Sequence, residues 1–326
     1  MARLYVEDWS PEYGAPFESD ADPLPSEVVV DTAVEVPGTW EPLPGRDDGV
    51  RHVAFVDGVQ RLEARLTLDD PDTGPVPGIC AAYAVGACVW DREARRSAVR
   101  DVSVGRLAIL GGGRSVVLPP TPGLDYVAES IDAVDMPSLR ARLDTRRGQV
   151  ETDLVRALAL TDCFVVADGR IHDLGAHEMV GYVKSHHHVY LGPPQSRVIG
   201  ALRPGERSPV FLIPEGQFQR YSWYVRLADN PHGHSWSGIA RVETPGAIGI
   251  ERARVLADRT AALLPQAAMP LHLDARAPQN LVPIAGLEKE LRRWLGDQAL
   301  VRRGLRAALQ GATADATAAM PEEIMR

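Results

Sequence analysis

Two aspartates occupy similar places in the sequence, each at the end of an apolar run and directly before a glycine. Asp57 ends the run in AFVDG, and Asp168 ends the run in VVADG. Hydrophobic residues fill both faces of each run, which predicts buried strands, and ligand-binding groups gather beyond the carboxyl ends of such strands. A carboxylate there is partly removed from water, which is costly unless it is paired or holds a metal ion. The other interpretation, an aspartate that only starts a turn, stays open for each of them.

A third acid, Glu151, lies on the apolar stripe of a predicted helix. The hydrophobic residues Leu154, Val155 and Leu158 follow it at helical spacing and therefore share its face. An acid on a core-facing stripe, shortly before a strand that ends in another acid, is unusual. Two interpretations stay open: Glu151 is an active-site carboxylate, or it only interacts with the positive end of the helix dipole.

Asp and Glu side chains that converge on one point suit hard cations such as Mg²⁺ or Mn²⁺. Two such ions can clamp the attacking and leaving oxygens of a phosphodiester during in-line displacement. In that chemistry the carboxylates need not be general acids or bases, because their task is to hold the metal. The three acids therefore point to metal-dependent phosphodiester hydrolysis.

The elements around these acids predict one α/β or α+β domain, because strands come first and mixed strands and helices follow. Residues 1–48 are rich in Pro and acidic residues and predict an extended arm. The domain itself is expected to span residues 49–311. It should begin with three consecutive antiparallel strands, the first of them stopped by Gly58, and become mostly helical from Gly249. Residues 312–326 predict a flexible tail.

The formal net charge of the 326-residue chain is −9. Nucleic-acid binders usually neutralise phosphates with Lys and Arg. An acidic chain with that function must either concentrate its basic residues on one face or rely on a basic partner. The segment GGGRS lacks the Gly-Lys-Ser/Thr ending of a phosphate loop, so the chain is not expected to be an ATPase itself.

The apolar segments and the cysteines predict a cytoplasmic protein that does not enter a membrane. The longest apolar run, residues 79–90, is too short to cross a bilayer, and the sequence does not start with a signal segment. Cys80, Cys88 and Cys163 lie inside apolar runs without framework spacing, which is typical of reduced, buried thiols.

Several of these motifs resemble, in order and spacing, the NurA nuclease family. AFVDGVQRL resembles the first family signature, and VVADGRI followed by VGYVKS resembles the second. Glu151, seventeen residues before Asp168, matches the glutamate on the preceding helix of the family, and RYSWYVRL and ARVETP look like its late strand pair. The resemblance runs from about residue 51 to residue 295.

The resemblance implies a fold, an activity and partners. The expected fold is an RNase H-like mixed sheet flanked by helices, and the expected activity is that of a Mn²⁺- or Mg²⁺-dependent DNA nuclease with Asp57, Glu151 and Asp168 as metal ligands. NurA proteins form homodimers that dock on a hexameric ATPase of the HerA type, which implies a role in DNA end processing or phage defence. Lys184 in VGYVKS could neutralise the scissile phosphate as a point charge, or be a plain surface lysine.

One departure from the family concerns a fourth metal ligand. The family usually has a histidine on a late helix, after a Pro-aliphatic segment, and MPLHLDARAPQN occupies that region here. Asp274 or His272 could replace that histidine, and Asp274 fits the register better. The late tyrosine of the family has no obvious counterpart.

Two other functions remain as alternatives. The absent histidine and tyrosine and the negative charge fit a catalytically inactive subunit that regulates an ATPase partner. A zinc-dependent hydrolase could instead use His186 and His188 on a strand or His232 and His234 in a loop, although no complete zinc pattern accompanies them.

Overall fold

The computed structural model describes residues 3–6, 24–25, 28–171, 175–184, 188–215, 218–229, 236–273 and 277–318. These residues form a mixed α/β fold, as predicted, in which helices flank a large sheet and the carboxyl-terminal part is helical. The strands are β1 Arg3–Val6, β2 Leu24–Pro25, β3 Leu43–Pro44, β4 His52–Asp70, β5 Gly74–Asp91, β6 Arg96–Leu110, β7 Val127–Ser130, β8 Cys163–Asp168, β9 Met179–Val183, β10 His188–Val189, β11 Glu206–Arg207, β12 Phe211–Glu215, β13 Phe218–Arg226 and β14 Ile239–Pro245. The helices are α1 Met136–Ala159, α2 Gln195–Ala201, α3 Ile250–Ala267, α4 Val282–Trp294 and α5 Gln298–Ala318, with a 3₁₀ turn at Gly246–Ile248.

Twelve strands of the described chain form one sheet, in the order β3-β11-β13-β14-β9-β8-β4-β5-β6-β7, with β1 beside β4 and β12 beside β13. Strands β4, β8 and β9 are parallel neighbours, whereas β4, β5 and β6 form a long antiparallel meander. The site predicted from the sequence therefore falls where the parallel and antiparallel parts of the sheet meet at β4.

The first long strand does not stop at Gly58, which corrects the prediction. Strand β4 continues from His52 to Asp70, and Gly58 pairs with Val85 of β5 in an unbroken part of the ladder. A glycine inside a strand often marks a place where another group approaches the backbone closely, and this is the role that Gly58 has here. Asp57 consequently lies within a strand, whereas Asp168 does end one.

The two faces of the sheet carry different helices. Phe55 and Val166 belong to a core with residues of α3 and α4, whereas Val56 and Val165 pack against α1 on the opposite face. Side chains alternate between faces along a strand, so the position of each residue along β4 and β8 decides which helices it meets.

The carboxyl-terminal end of α4 is fixed to the sheet by a buried ionic cluster. Arg61 and Arg106 donate hydrogen bonds to the carbonyl of Leu295 at 2.8 and 2.9 Å, and both contact the carboxylate of Glu63, which is fully buried. Tyr126 donates a further hydrogen bond to Glu63. Carbonyls at the end of a helix lack partners within it, so these contacts satisfy them and hold α4 in place.

The described part of the predicted arm follows the surface of the domain. Trp40 is buried there, and Glu35 accepts hydrogen bonds from the guanidinium of Arg207 at 2.9 Å. At the other end, α5 continues as a helix to Ala318, beyond residue 312 where the flexible tail was expected. None of the described helices is long and apolar enough to cross a membrane.

Candidate active site

Three carboxylates meet on the α4 face of the sheet. Asp57, Asp168 and Glu288 each offer one oxygen, and these oxygens lie within 4.8 Å of one another. The register explains the first two, because Val56 pairs with Ala167 in the parallel ladder and the aspartates follow side by side. Phe55 and Val166 point toward α4, so the residue two positions after each of them points there as well.

The third member, Glu288, does not stand out in the sequence patterns. It lies on α4 four residues after Ile284 and next to Leu287, both of which are buried in the core. An acid beside an apolar stripe is the same signal that marked Glu151, and it is present in VPIAGLE. This segment also supplies a Pro-aliphatic start, Pro283 and Ile284, which the motif resemblance had placed in MPLHLDARAPQN.

The residues proposed from that earlier region do not join the three carboxylates. His272 lies in an exposed turn and is not among the grouped side chains of the described chain. Asp274 lies outside the described residues, so its place as a fourth ligand stays a prediction. The same holds for the side chains of His186, His188, His232 and His234, on which the zinc alternative depends.

Lys184 brings one positive charge to the carboxylates. It directly follows β9, and its Nζ lies 2.7 Å from Asp168 Oδ2 and 3.9 Å from Glu288 Oε1. Its side chain is largely buried. Lys184 is therefore paired with the carboxylates and only partly exposed to solvent.

Glu151 reaches the same region from the opposite face of the sheet. It comes from α1 and accepts a hydrogen bond from Arg147 Nη1 at 2.7 Å, and Arg147 also donates to the carbonyl of Gly58 at 3.1 Å. A Cβ atom at Gly58 would overlap Glu151 Oε1, so the missing side chain is what lets this carboxylate approach β4. Glu151 is thus near the other acids but is not one of the three that share a point.

Burial and mutual repulsion make the ionisation of these acids costly in the absence of a cation. Burial raises the pKa of Asp57 to about 8, and the negative charge of Asp168 adds to the effect while Lys184 opposes it. Burial also raises the pKa of Asp168, with Lys184 again opposing. For Glu151 the pKa is raised by burial, lowered by Arg147 and raised further by Asp168.

The donor set fits a hard divalent cation. It consists of oxygen ligands and is partly shielded from water. Among the described residues, two positive charges contact it: the ammonium of Lys184 lies beside Asp168 and Glu288, and Arg292 Nη2 lies 3.5 Å from Glu288 Oε2. Mg²⁺ and Mn²⁺ prefer such oxygen ligands, and their charge would relieve the repulsion between the carboxylates. Asp57, Asp168 and Glu288 are the residues that would hold the ion, and Glu151 is the nearest further carboxylate.

A large cleft opens beside these acids. It has a volume of about 1570 Å³ and is bounded by α1, by the segment that follows β8, by the start of β13 and by the 3₁₀ turn. Both Glu151 and Asp168 line it. Asp57, Glu288 and Lys184 do not line it, so a substrate in this cleft would meet the acids through Glu151 and Asp168.

Comparisons with known proteins show a similarity to solved structures and none to curated sequences or family models. No protein-family model matches the sequence, and no curated protein matches it. Among solved structures, the crystal structure of the NurA nuclease from Sulfolobus solfataricus matches with a TM-score of 0.43 and 10% sequence identity, over 86% of this chain and 89% of that one. The chain is similar in structure to a NurA nuclease.

The contact between Gly58 and Glu151 leads to a prediction. We expect Gly58→Ala to push the carboxylate of Glu151 away from β4 and to lower the rate of DNA cleavage about tenfold or more. The stability cost should be small, about 1 kcal/mol, because the end of a glutamate side chain can move. Cleavage rate and thermal unfolding of the same preparation measure the two effects.

Gly148→Ala is the matched control, since Gly148 lies on the same helix as Glu151 and a Cβ atom there meets open space. It should lower cleavage far less than Gly58→Ala does and stabilise α1 by about 0.5–1 kcal/mol. A Gly58→Ala protein that cleaves DNA at the wild-type rate would show that the close approach of Glu151 is not needed.

Proposed function

We propose that this chain is a metal-dependent nuclease that hydrolyses DNA phosphodiester bonds. The observation that carries the proposal is the meeting of Asp57, Asp168 and Glu288 at the junction of two parallel strands and a helix. Carboxylates are rarely gathered in a partly buried place without a compensating charge, because each one raises the cost of ionising the others. The motif resemblance to NurA nucleases supports the same activity.

The side chains have distinct roles in this proposal. Asp57, Asp168 and Glu288 hold Mn²⁺ or Mg²⁺, and Glu151 and Asp274 are proposed as further ligands. When bound, ions of this kind supply Lewis acidity at the attacking and leaving oxygens of a phosphodiester. Lys184 contributes a fixed positive charge beside Asp168, at the place where a scissile phosphate would sit.

A partner is part of the proposal. The net charge of −9 supports weak binding of DNA by this chain alone, and the motif resemblance supports a cytoplasmic homodimer that acts with a HerA-type hexameric ATPase in DNA end processing or phage defence. DNA affinity at one fixed salt concentration, with and without that ATPase, tests this point. Equal affinity in both cases would contradict the need for a partner.

The activity is tested by incubating linear DNA with the full chain in Mn²⁺, in Mg²⁺ or in EDTA, with and without a HerA-type ATPase. We expect cleavage in at least one of the two metals and none in EDTA. No cleavage under any of these conditions would overturn the proposal and favour the inactive regulatory subunit. Stoichiometric zinc in the native protein would instead favour the zinc hydrolase.

A further inference from the structure

We propose that the cleft beside the carboxylates binds an unpaired nucleic-acid strand, and that Phe218 is the surface on which one base of that strand stacks. This inference rests on the proposed nuclease function and adds a binding site and a substrate form to it. Three features of the described residues carry it: the size of the cleft, the charges along its walls and the exposed ring of Phe218.

The size of the cleft indicates a polymer. Pockets for small ligands usually enclose about 300–1,000 Å³. The cleft here has a volume of about 1570 Å³ and extends from α1 to the start of β13. It is therefore larger than one small molecule needs, and it leads along the protein surface to Asp168.

The charges along the cleft differ from those of the whole chain. Five arginines and four acidic residues line it, whereas the full sequence has 35 Lys and Arg against 44 Asp and Glu. Two of these arginines, Arg146 and Arg156, stand on α1 with side chains 42% and 49% exposed, and their ion pairs with Glu129 and Asp153 are long, at 3.9 and 3.5 Å. Phosphate groups can reach these exposed guanidinium groups, and ion pairs of this length contribute little.

Phe218 adds an exposed aromatic ring on which a nucleobase can stack. Its side chain is 50% exposed although it is one of the large hydrophobic residues of the chain, and it stands at the first position of β13 on the wall of the cleft. Proteins that hold single strands combine a positively charged groove with aromatic rings on which bases stack. Bases within a duplex are already stacked on each other, so an exposed ring of this kind favours an unpaired strand.

The test separates the base from the backbone. Binding of a labelled thymidine oligonucleotide and of an abasic oligonucleotide of the same length is measured by fluorescence anisotropy, in EDTA and at low salt, so that no cleavage occurs. We expect Phe218→Ala to weaken binding of the thymidine strand about tenfold and to leave binding of the abasic strand unchanged. Phe218→Trp should retain the wild-type preference for the strand that carries bases.

Two further variants serve as controls. Trp294→Ala removes another exposed aromatic ring, one that does not line the cleft, and should change neither affinity. Arg146→Ala should weaken both strands alike and reduce the slope of log affinity against log salt by about one, as expected for a lost phosphate contact.

Equal effects of Phe218→Ala on both strands, or no effect on either, would overturn the inference. These outcomes are distinct from a failure of the nuclease proposal, because binding is measured without metal. If the protein cuts DNA but Phe218→Ala shows no selective loss of binding, the nuclease proposal stands and the stacking site at Phe218 is rejected. If the protein never cuts DNA but Phe218→Ala selectively loses binding of the thymidine strand, the binding site is supported and the nuclease activity is not.

Discussion

Asp168→Ala is expected to lose DNA cleavage by more than about 100-fold, together with the stabilisation that Mn²⁺ or Mg²⁺ gives to the wild-type protein. Loss of a group that merely orients a metal ligand already costs about 10–100-fold, so loss of a ligand should cost more. Asp57→Ala should behave in the same way, since the two aspartates lie side by side in the parallel ladder. Both variants should still fold without metal, because removing one carboxylate relieves the repulsion between the acids.

Cleavage of linear DNA and thermal unfolding with and without metal are the two measurements. Asp153→Ala is the matched control: Asp153 also lines the cleft, but its side chain is 76% exposed and it is not one of the three converging acids. Its stabilisation by metal should be that of the wild type, and its cleavage should remain dependent on the metal. Wild-type cleavage by either active-site variant would refute the assignment of these aspartates.

The second large effect concerns stability and pH. In EDTA the protein should lose several kcal/mol of stability as the pH rises from about 4 to about 8, and Asp57→Asn should remove most of this loss. The folded state raises the pKa of Asp57 to about 8, mainly through burial and then through the charge of Asp168. The ordinary pKa of an aspartate, and hence that of the unfolded chain, is about 3.9.

The sign follows from the proton that only the folded state retains. Below the ordinary pKa both states are protonated, and the stability due to this group is fully present. As the pH rises through the folded-state pKa, the buried carboxyl must ionise, and that stability is lost. Because Asp57 and Asp168 titrate as a pair and share the proton, the expected loss is on the order of a few kcal/mol for the two together.

Urea unfolding in EDTA at a series of pH values measures this effect, with Asp153→Asn as the exposed control. Asp57→Asn should be more stable than the wild type near pH 8, and addition of Mn²⁺ should stabilise the wild type more than the variant. If the stability of the wild type and that of Asp57→Asn changed with pH in parallel over the whole range, ionisation of Asp57 would not destabilise the folded protein.

The sequence predicts the parts of the site that local patterns encode. Apolar runs ending in Asp-Gly identified Asp57 and Asp168, because buried parallel strands have this composition. The helical wheel placed Glu151 on a buried stripe, but a wheel does not tell which face of the sheet α1 covers. The structure puts α1 on the face opposite α4, so Glu151 approaches β4 at Gly58 from the other side of the sheet.

Two features were not predicted from local patterns. Glu288 lies beside an apolar stripe, as Glu151 does, but it stands among Lys289, Glu290 and Arg292, and the packing of Leu287 and Leu291 is what shows that this stripe faces the core. The continuation of β4 past Gly58 depends on pairing with β5, and long-range pairing overrides the tendency of a glycine to end a strand.

The order of the three converging acids along the chain has a consequence for synthesis on the ribosome. Asp57 is made early, whereas Glu288 is carried by α4, whose end is fastened to β4 and β6 through Arg61 and Arg106. At about 5–20 residues per second, translation separates the two acids by about ten to fifty seconds. A nascent chain that has already folded its first strands therefore still lacks one of the three acids of the proposed metal site. Catalytic competence would arise only when nearly the whole domain has left the exit tunnel.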